Sequence, residues 1–389
     1  MRQIRVVSLV VLVLGLLLAG FGATASARVK TSGDFYTPPS PLPTKPPGTI
    51  IRSVAIDAPA GAKAWKVLYH SRSVDGRDIA VSGVVVAPTG AAPKGGRPVV
   101  TWAHGTTGLA DQCAPSKATD AAKAIPLVDD LVRAGYVVAA TDYEGLGTPG
   151  VHPYLVGQSE GRSVLDAARA AIDLDATGAN NRVLVVGHSQ GGQAALFAGE
   201  LASSYAPHLH VLGVAAAAPI ADAEHALPLA GTIKGAAGYV AMGIEGFHAA
   251  YPDDVDPAAV LTPAALAKAA TATTQCASDV LQAFSNTAGS VFARDPLSIP
   301  GIQMLLHQNS AGNRPAGAPL LIVQGSADTT IPHALTDAFV KKACAAGDTV
   351  DYRTYPGATH PSVIVAAQGD IVAWLRDRVA GTPAPSTCS

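Results

Sequence analysis

The chain has 389 residues, 48% of them hydrophobic and 14% charged, which allows a large core and argues against extended disorder. Lys plus Arg is 27 and Asp plus Glu is 29, with no long block of like charge. That balance speaks against a nucleic-acid binder working through bulk positive charge.

Arg2 and Arg5 precede an apolar run from Val6 to Phe21, and Ala25-Ser26-Ala27 then supplies small residues at signal-peptidase spacing. These features predict a secretory signal over residues 1–27, with an uncleaved membrane anchor as the alternative. No other stretch is long and apolar enough to span a bilayer. Four cysteines in a secreted chain predict two disulfides, with three pairings open.

Residues 28–50 are proline-rich and predict an extended arm, held on the body by Phe35 and Tyr36. Trp65 to His70 and Ile79 to Val86 read as strands joined by a turn at Asp75-Gly76. From residue 98 the pattern alternates. Strands are expected at Val99–Trp102, Tyr136–Ala140, Val183–Val186, Val211–Ala218, Leu320–Val323 and Val350–Tyr355. Helices are expected at Asp120–Ala134, Val164–Leu174, after Ser189 to about Ser203, at Asp337–Ala346 and at Val363–Arg378. Alternation of this kind predicts an α/β fold, a mostly parallel central sheet with helices on both faces. Residues 221–314 interrupt it with Ala-rich helical stretches such as Pro263–Ala270 and Ala277–Phe284, an inserted helical cap. The core is then 51–220 and 315–389.

The sharpest chemical signal is Val183-Leu184-Val185-Val186-Gly187-His188-Ser189-Gln190-Gly191-Gly192. A buried strand leads into G-x-S-x-G and then a helix, the setting that exposes a serine hydroxyl on a strained turn. Gly157-Gln158-Ser159-Glu160-Gly161 also fits the bare pattern but lacks the preceding buried strand, so Ser159 reads as an ordinary helix-start or loop serine. A serine needs a base, and the base an orienting acid. Asp328, just past Leu320–Val323, and His360, on the loop after Val350–Tyr355, have the expected chain order and position. Asp222 is the lesser candidate for the acid, and Asp142 reads as a turn or supporting residue. His188 is expected to point away from the hydroxyl, and His104, His307 and His333 to be structural. The oxyanion hole is expected from the amides of Gln190 and of Thr106, in the loop His104-Gly105-Thr106-Thr107-Gly108. Gly145-Leu146-Gly147 reads as a loop lining the site. No metal-binding spacing, Walker loop or dinucleotide fingerprint is present, and no cofactor is expected.

The chain resembles the secretory lipase family, the fungal lipase A type and its bacterial relatives. The resemblance is carried by Asp34-Phe35-Tyr36-Thr37-Pro38-Pro39, Pro47-Gly48-Thr49-Ile50, Gln112-Cys113-Ala114-Pro115-Ser116, Asp142-Tyr143-Glu144-Gly145-Leu146-Gly147 and Gly187 to Gly192. It implies an α/β-hydrolase fold, a helical lid over 221–314, and Ser189, Asp328 and His360 as the triad. It implies a secreted hydrolase of acylglycerols or other carboxylic esters, in contact with a lipid–water interface. A non-lipase esterase, an acyltransferase or a non-catalytic binding protein of the same fold are the alternatives. Within that fold the family pattern pairs Cys113 with Cys276 and Cys344 with Cys388, the first bridge tethering the cap.

Overall fold

β-Branched runs broken by glycine turns build a nine-stranded sheet in the order β1-β2-β3-β5-β4-β6-β7-β8-β9. The computed structural model describes residues 34–388 except 234, 288 and 289; the predicted signal lies outside the described residues. The strands are β1 (Ile50–Ile56), β2 (Ala62–Arg72), β3 (Asp78–Pro88), β4 (Arg97–Ala103), β5 (Val137–Thr141), β6 (Ala179–His188), β7 (His210–Ala217), β8 (Leu320–Gly325) and β9 (Val350–Tyr355). β1, β2 and β3 are antiparallel and join β5 antiparallel, whereas β5, β4, β6, β7, β8 and β9 run parallel.

Alternate strand residues face opposite layers. Val99, Val183 and Val185 join a core containing Val164, Ala168, Leu196 and Phe339. Val100, Trp102, Leu184 and Val186 join a core containing Leu131, Ile371, Trp374 and Leu375. The helices covering the two faces are α1 (Val128–Arg133), α2 (Gly157–Asp173), α3 (Gln190–Tyr205), and, after the insertion, α10 (His333–Ala345), α11 (Val363–Ala366) and α12 (Gln368–Ala380). Between β7 and β8 lie α4 (Ala223–Ala230), α5 (Ala237–Ala250), α6 (Pro257–Val260), α7 (Pro263–Ala269), α8 (Ala277–Phe284) and α9 (Pro300–Gln308). They gather a third apolar cluster with Leu109, Tyr154, Leu155 and Ile331 of the sheet-borne loops.

Several expectations need correction. The helix expected over Asp120–Ala134 forms only at α1; Pro126 disfavours helix before it, and Leu127 turns left-handed at φ 66°. The arm expected to end at residue 50 leads into β1, a further strand that pairs antiparallel with β2. The last helix is interrupted between α11 and α12 at Ala367. Tyr36 is buried, and its hydroxyl lies 3.0 Å from Ser116 Oγ.

Candidate active site

Ser189 sits between β6 and α3 with φ 60° and ψ −122°, a backbone state that a non-glycine residue holds only under constraint. The constraint is close packing. A Cβ on Gly187 would come within 1.9 Å of the Gly191 carbonyl, and one on Gly191 within 1.9 Å of the Ala103 carbonyl. Only glycine lets α3 start this tightly against β6 and β4.

His360 Nε2 lies 2.8 Å from Ser189 Oγ, and His360 Nδ1 lies 2.8 Å from Asp328 Oδ2. Asp328 Oδ1 accepts the Thr330 and Ile331 amides at 2.9 Å each. Gln324, itself held by Thr336, donates to Oδ2 at 3.1 Å. Burial pulls the Asp328 carboxyl upward, but His360 and the two amides outweigh it and leave it below its ordinary value. An ionised carboxylate on Nδ1 makes that nitrogen the donor and leaves Nε2 free to accept the serine proton.

The other candidates have structural places. Ser159 lies in the first turn of α2, its hydroxyl donating to the Glu144 carboxylate. Asp222 caps α4 by accepting the His225 amide. Asp142 is buried, accepting from Ser82 and from the Ser116 amide and hydroxyl. His104 bonds the Gly105 and Asp142 carbonyls, His307 meets Glu224, and His333 meets Asp337. The Gly145–Gly147 loop does not line the site: Leu146 is fully buried in the core, and the two glycines press against Val151 and Tyr36.

His188 does not point away from the site as expected: it lines a pocket beside His360. Its Nε2 donates to the His360 carbonyl at 2.8 Å, and the two rings lie 4.8 Å apart. Burial, reinforced by His360, lowers it to about 4 and keeps it neutral at physiological pH. The loop after β4 passes beside the serine: a Cβ on Gly105 would sit 3.5 Å from Ser189 Cβ. Thr106 follows, its hydroxyl 2.8 Å from that of Tyr154.

Two pockets meet at Ser189. One is lined by Leu155, Ile220, Leu227, Leu229, Ile233 and Ile331. The other opens over Trp102, Thr106, Ile125, Asp142, His188 and His360. Ser189 and Tyr239 line both. Cys113–Cys276 and Cys344–Cys388 are bridged, with Cα separations of 5.4 and 5.5 Å. Among the described residues no group of His, Cys, Asp and Glu side chains is gathered to hold a metal ion.

A serine on a strained strand–helix turn, in series with a histidine and an aspartate from later strand ends of a mostly parallel sheet, defines an α/β-hydrolase. A family model described as secretory lipase matches residues 116–387, and the chain belongs to that family. It is 28% identical to the secreted triacylglycerol lipase LIP3 of Malassezia globosa, over 95% of this chain and 88% of that one. It is 27% identical, over 90% of this chain and 82% of the other, to a Mycobacterium tuberculosis protein named "Probable inactive lipase MT1628". Among solved structures, Candida antarctica lipase A superposes with a TM-score of 0.77 at 22% identity, covering 91% of this chain and 87% of that one.

Proposed function

We propose that this protein is a secreted lipase that hydrolyses acylglycerol and related esters through an acyl-enzyme on Ser189. The observation that carries the reading is the unbroken series Ser189 Oγ, His360, Asp328, each link 2.8 Å. His360 Nε2 takes the hydroxyl proton as Oγ attacks the ester carbonyl. The Gln190 and Thr106 amides, with the positive end of α3, hold the oxyanion. Collapse expels the alcohol, which takes the proton from His360; water then repeats the sequence on the acyl-enzyme. Asp328 orients the imidazole and stabilises its cation.

The apolar pocket beneath α4 and α5 suits an acyl chain, and the chamber that opens over His188 and His360 suits the alcohol portion. Residues 221–314 serve as the lid over the core at 51–220 and 315–389, and residues 1–27 as the cleaved export signal.

The test is fluorophosphonate labelling followed by an ester panel of increasing acyl length. The reading requires adduct at Ser189 and hydrolysis extending to long-chain acylglycerols. No adduct at Ser189 would return the protein to a non-catalytic role, and activity confined to the shortest esters would make it a non-lipase esterase.

A further inference from the structure

Beneath the proposed oxyanion site lies a polar cluster that the reaction scheme does not use. Glu160, in the first turn of α2, is fully buried. Its Oε1 accepts the Leu155 amide at 2.9 Å and the side-chain amide of Gln190 at 2.7 Å. Its Oε2 is buried with no hydrogen-bond partner among the described residues. The same Gln190 nitrogen lies 2.7 Å from His152 Nε2. His152 Nδ1 lies 2.8 Å from the Glu144 carbonyl, which can only accept, so Nδ1 carries the proton and Nε2 receives the second Gln190 hydrogen. The His152 ring stacks on Tyr143 and meets Tyr154 edge-on, and Tyr154 holds Thr106. Both proposed oxyanion residues are therefore gripped by one loop, the segment from β5 into α2.

The charges around Glu160 decide its working state. From the loop it faces His152, at 3.6 Å, and Tyr143 and Tyr154; α3 offers the uncharged Gln190. Arg162 on its own helix turns to the Ser73 and Val74 carbonyls, and Glu144 is engaged by Ser159. Among the described residues no lysine or arginine forms an ion pair with it. Burial lowers His152 to about 3, so it brings no positive charge at neutral pH. Burial raises the Glu160 carboxyl to about 8, the Gln190 and Leu155 bonds offsetting part of that.

We infer that Glu160 and His152 form a buried clamp on the Gln190 side chain that holds its backbone amide in the oxyanion position, and that the clamp works with Glu160 uncharged. Glu160 and His152 are positioning residues acting through Gln190. Ionising Glu160 places an uncompensated negative charge behind the point where the oxyanion develops, which disfavours the transition state. The inference rests on Ser189 as nucleophile and Gln190 as oxyanion donor.

The test is kcat/KM toward p-nitrophenyl butyrate from pH 6 to 10, for the wild-type protein, Glu160→Gln and Glu160→Ala. The wild type should lose about tenfold between pH 7 and pH 9, as the neutral carboxyl is depleted. Glu160→Gln, which keeps both acceptor bonds without a titrating proton, should lose that alkaline limb. Glu160→Ala should show a lowered kcat with KM little moved, and the glutamine variant should recover it. A wild-type profile flat to pH 9.5 overturns the inference without any variant, as does a Glu160→Gln profile with the wild-type limb. Fluorophosphonate labelling of Ser189 at pH 7 separates the failures. Labelling with an unaltered Glu160→Gln profile removes only the clamp, whereas no labelling removes the hydrolase reading itself.

Discussion

His188 donates a 2.8 Å hydrogen bond to the carbonyl of His360, so the residue before the nucleophile braces the backbone of the residue that would deprotonate it. His360 sits on an irregular loop after β9, where Thr359 and Ser362 make only local bonds. The brace ties this loop to β6, a central strand, and fixes the imidazole against the hydroxyl. Replacing His188 with Ala should lower kcat by up to about a hundredfold, the scale of a small misplacement of reacting groups, with little change in KM. Steady-state kinetics on a soluble ester read the split; an equal rise in KM would point instead to a damaged pocket.

Asp328 accepts both the His360 ring and two backbone amides, so an amide in its place would keep the shape and lose the charge. Asp328→Asn should reduce kcat by about 10⁴-fold while leaving the folded protein intact by circular dichroism. Retention of more than a tenth of the activity would show that another group orients His360.

What could be read from residue order alone was whatever depends on local pattern. Val183 to Val186 with the glycines around Ser189 announce a strand and a tight turn, because packing there forbids side chains. Asp328 and His360 follow from the habit of parallel sheets to present loops at one edge. Leu127 had no such signature: an apolar residue at left-handed φ looks like helix until its neighbours are known. The direction of His188 had no local signature either, because a residue inside the elbow has two outward directions and only the distant backbone of His360 decides between them. The cluster of His152, Glu160 and Gln190 joins two segments, the passage from β5 into α2 and the start of α3, whose meeting no periodicity reports.

Glu200 supplies a pH test of stability. Burial raises its carboxyl to about 7, partly offset by the Gly312 amide that it accepts. The folded chain keeps this proton up to about pH 7, whereas the unfolded chain releases it near the ordinary 4.5. The folded state is therefore favoured fully below 4.5 and loses that contribution as pH rises through 7. His152 and His188 act on the other side: neutral in the fold down to about 3 and 4, they take protons when unfolded below about 6.5, so stability falls as pH drops beneath that value. Urea midpoints at pH 4.5, 6 and 7.5 should show Glu200→Gln losing less stability than the wild type across the upper interval. Parallel curves would mean that Glu200 is ionised in the fold.

The Cys113–Cys276 bridge spans 163 residues and lies where the Ala277 amide also donates to the Thr107 carbonyl at 2.9 Å. Replacing both cysteines with serine should cost about 2–5 kcal/mol of stability, read from chemical denaturation. The loop carrying Thr106 should loosen with it, lowering kcat as well. An unaltered kcat in a destabilised variant would show that the hydrogen bonds to Thr107 and Tyr154 suffice to hold that loop.

Two chambers share Ser189 and Tyr239, so in the proposed reaction an ester bound across them would be divided at its reacting carbon. On the acyl-enzyme proposed above, the opposite compartment would empty and refill while the first stayed occupied. The fate of that intermediate would then be a competition among small nucleophiles for one vestibule, its outcome, fatty acid or new ester, set by the residues of that vestibule rather than by those that grip the chain.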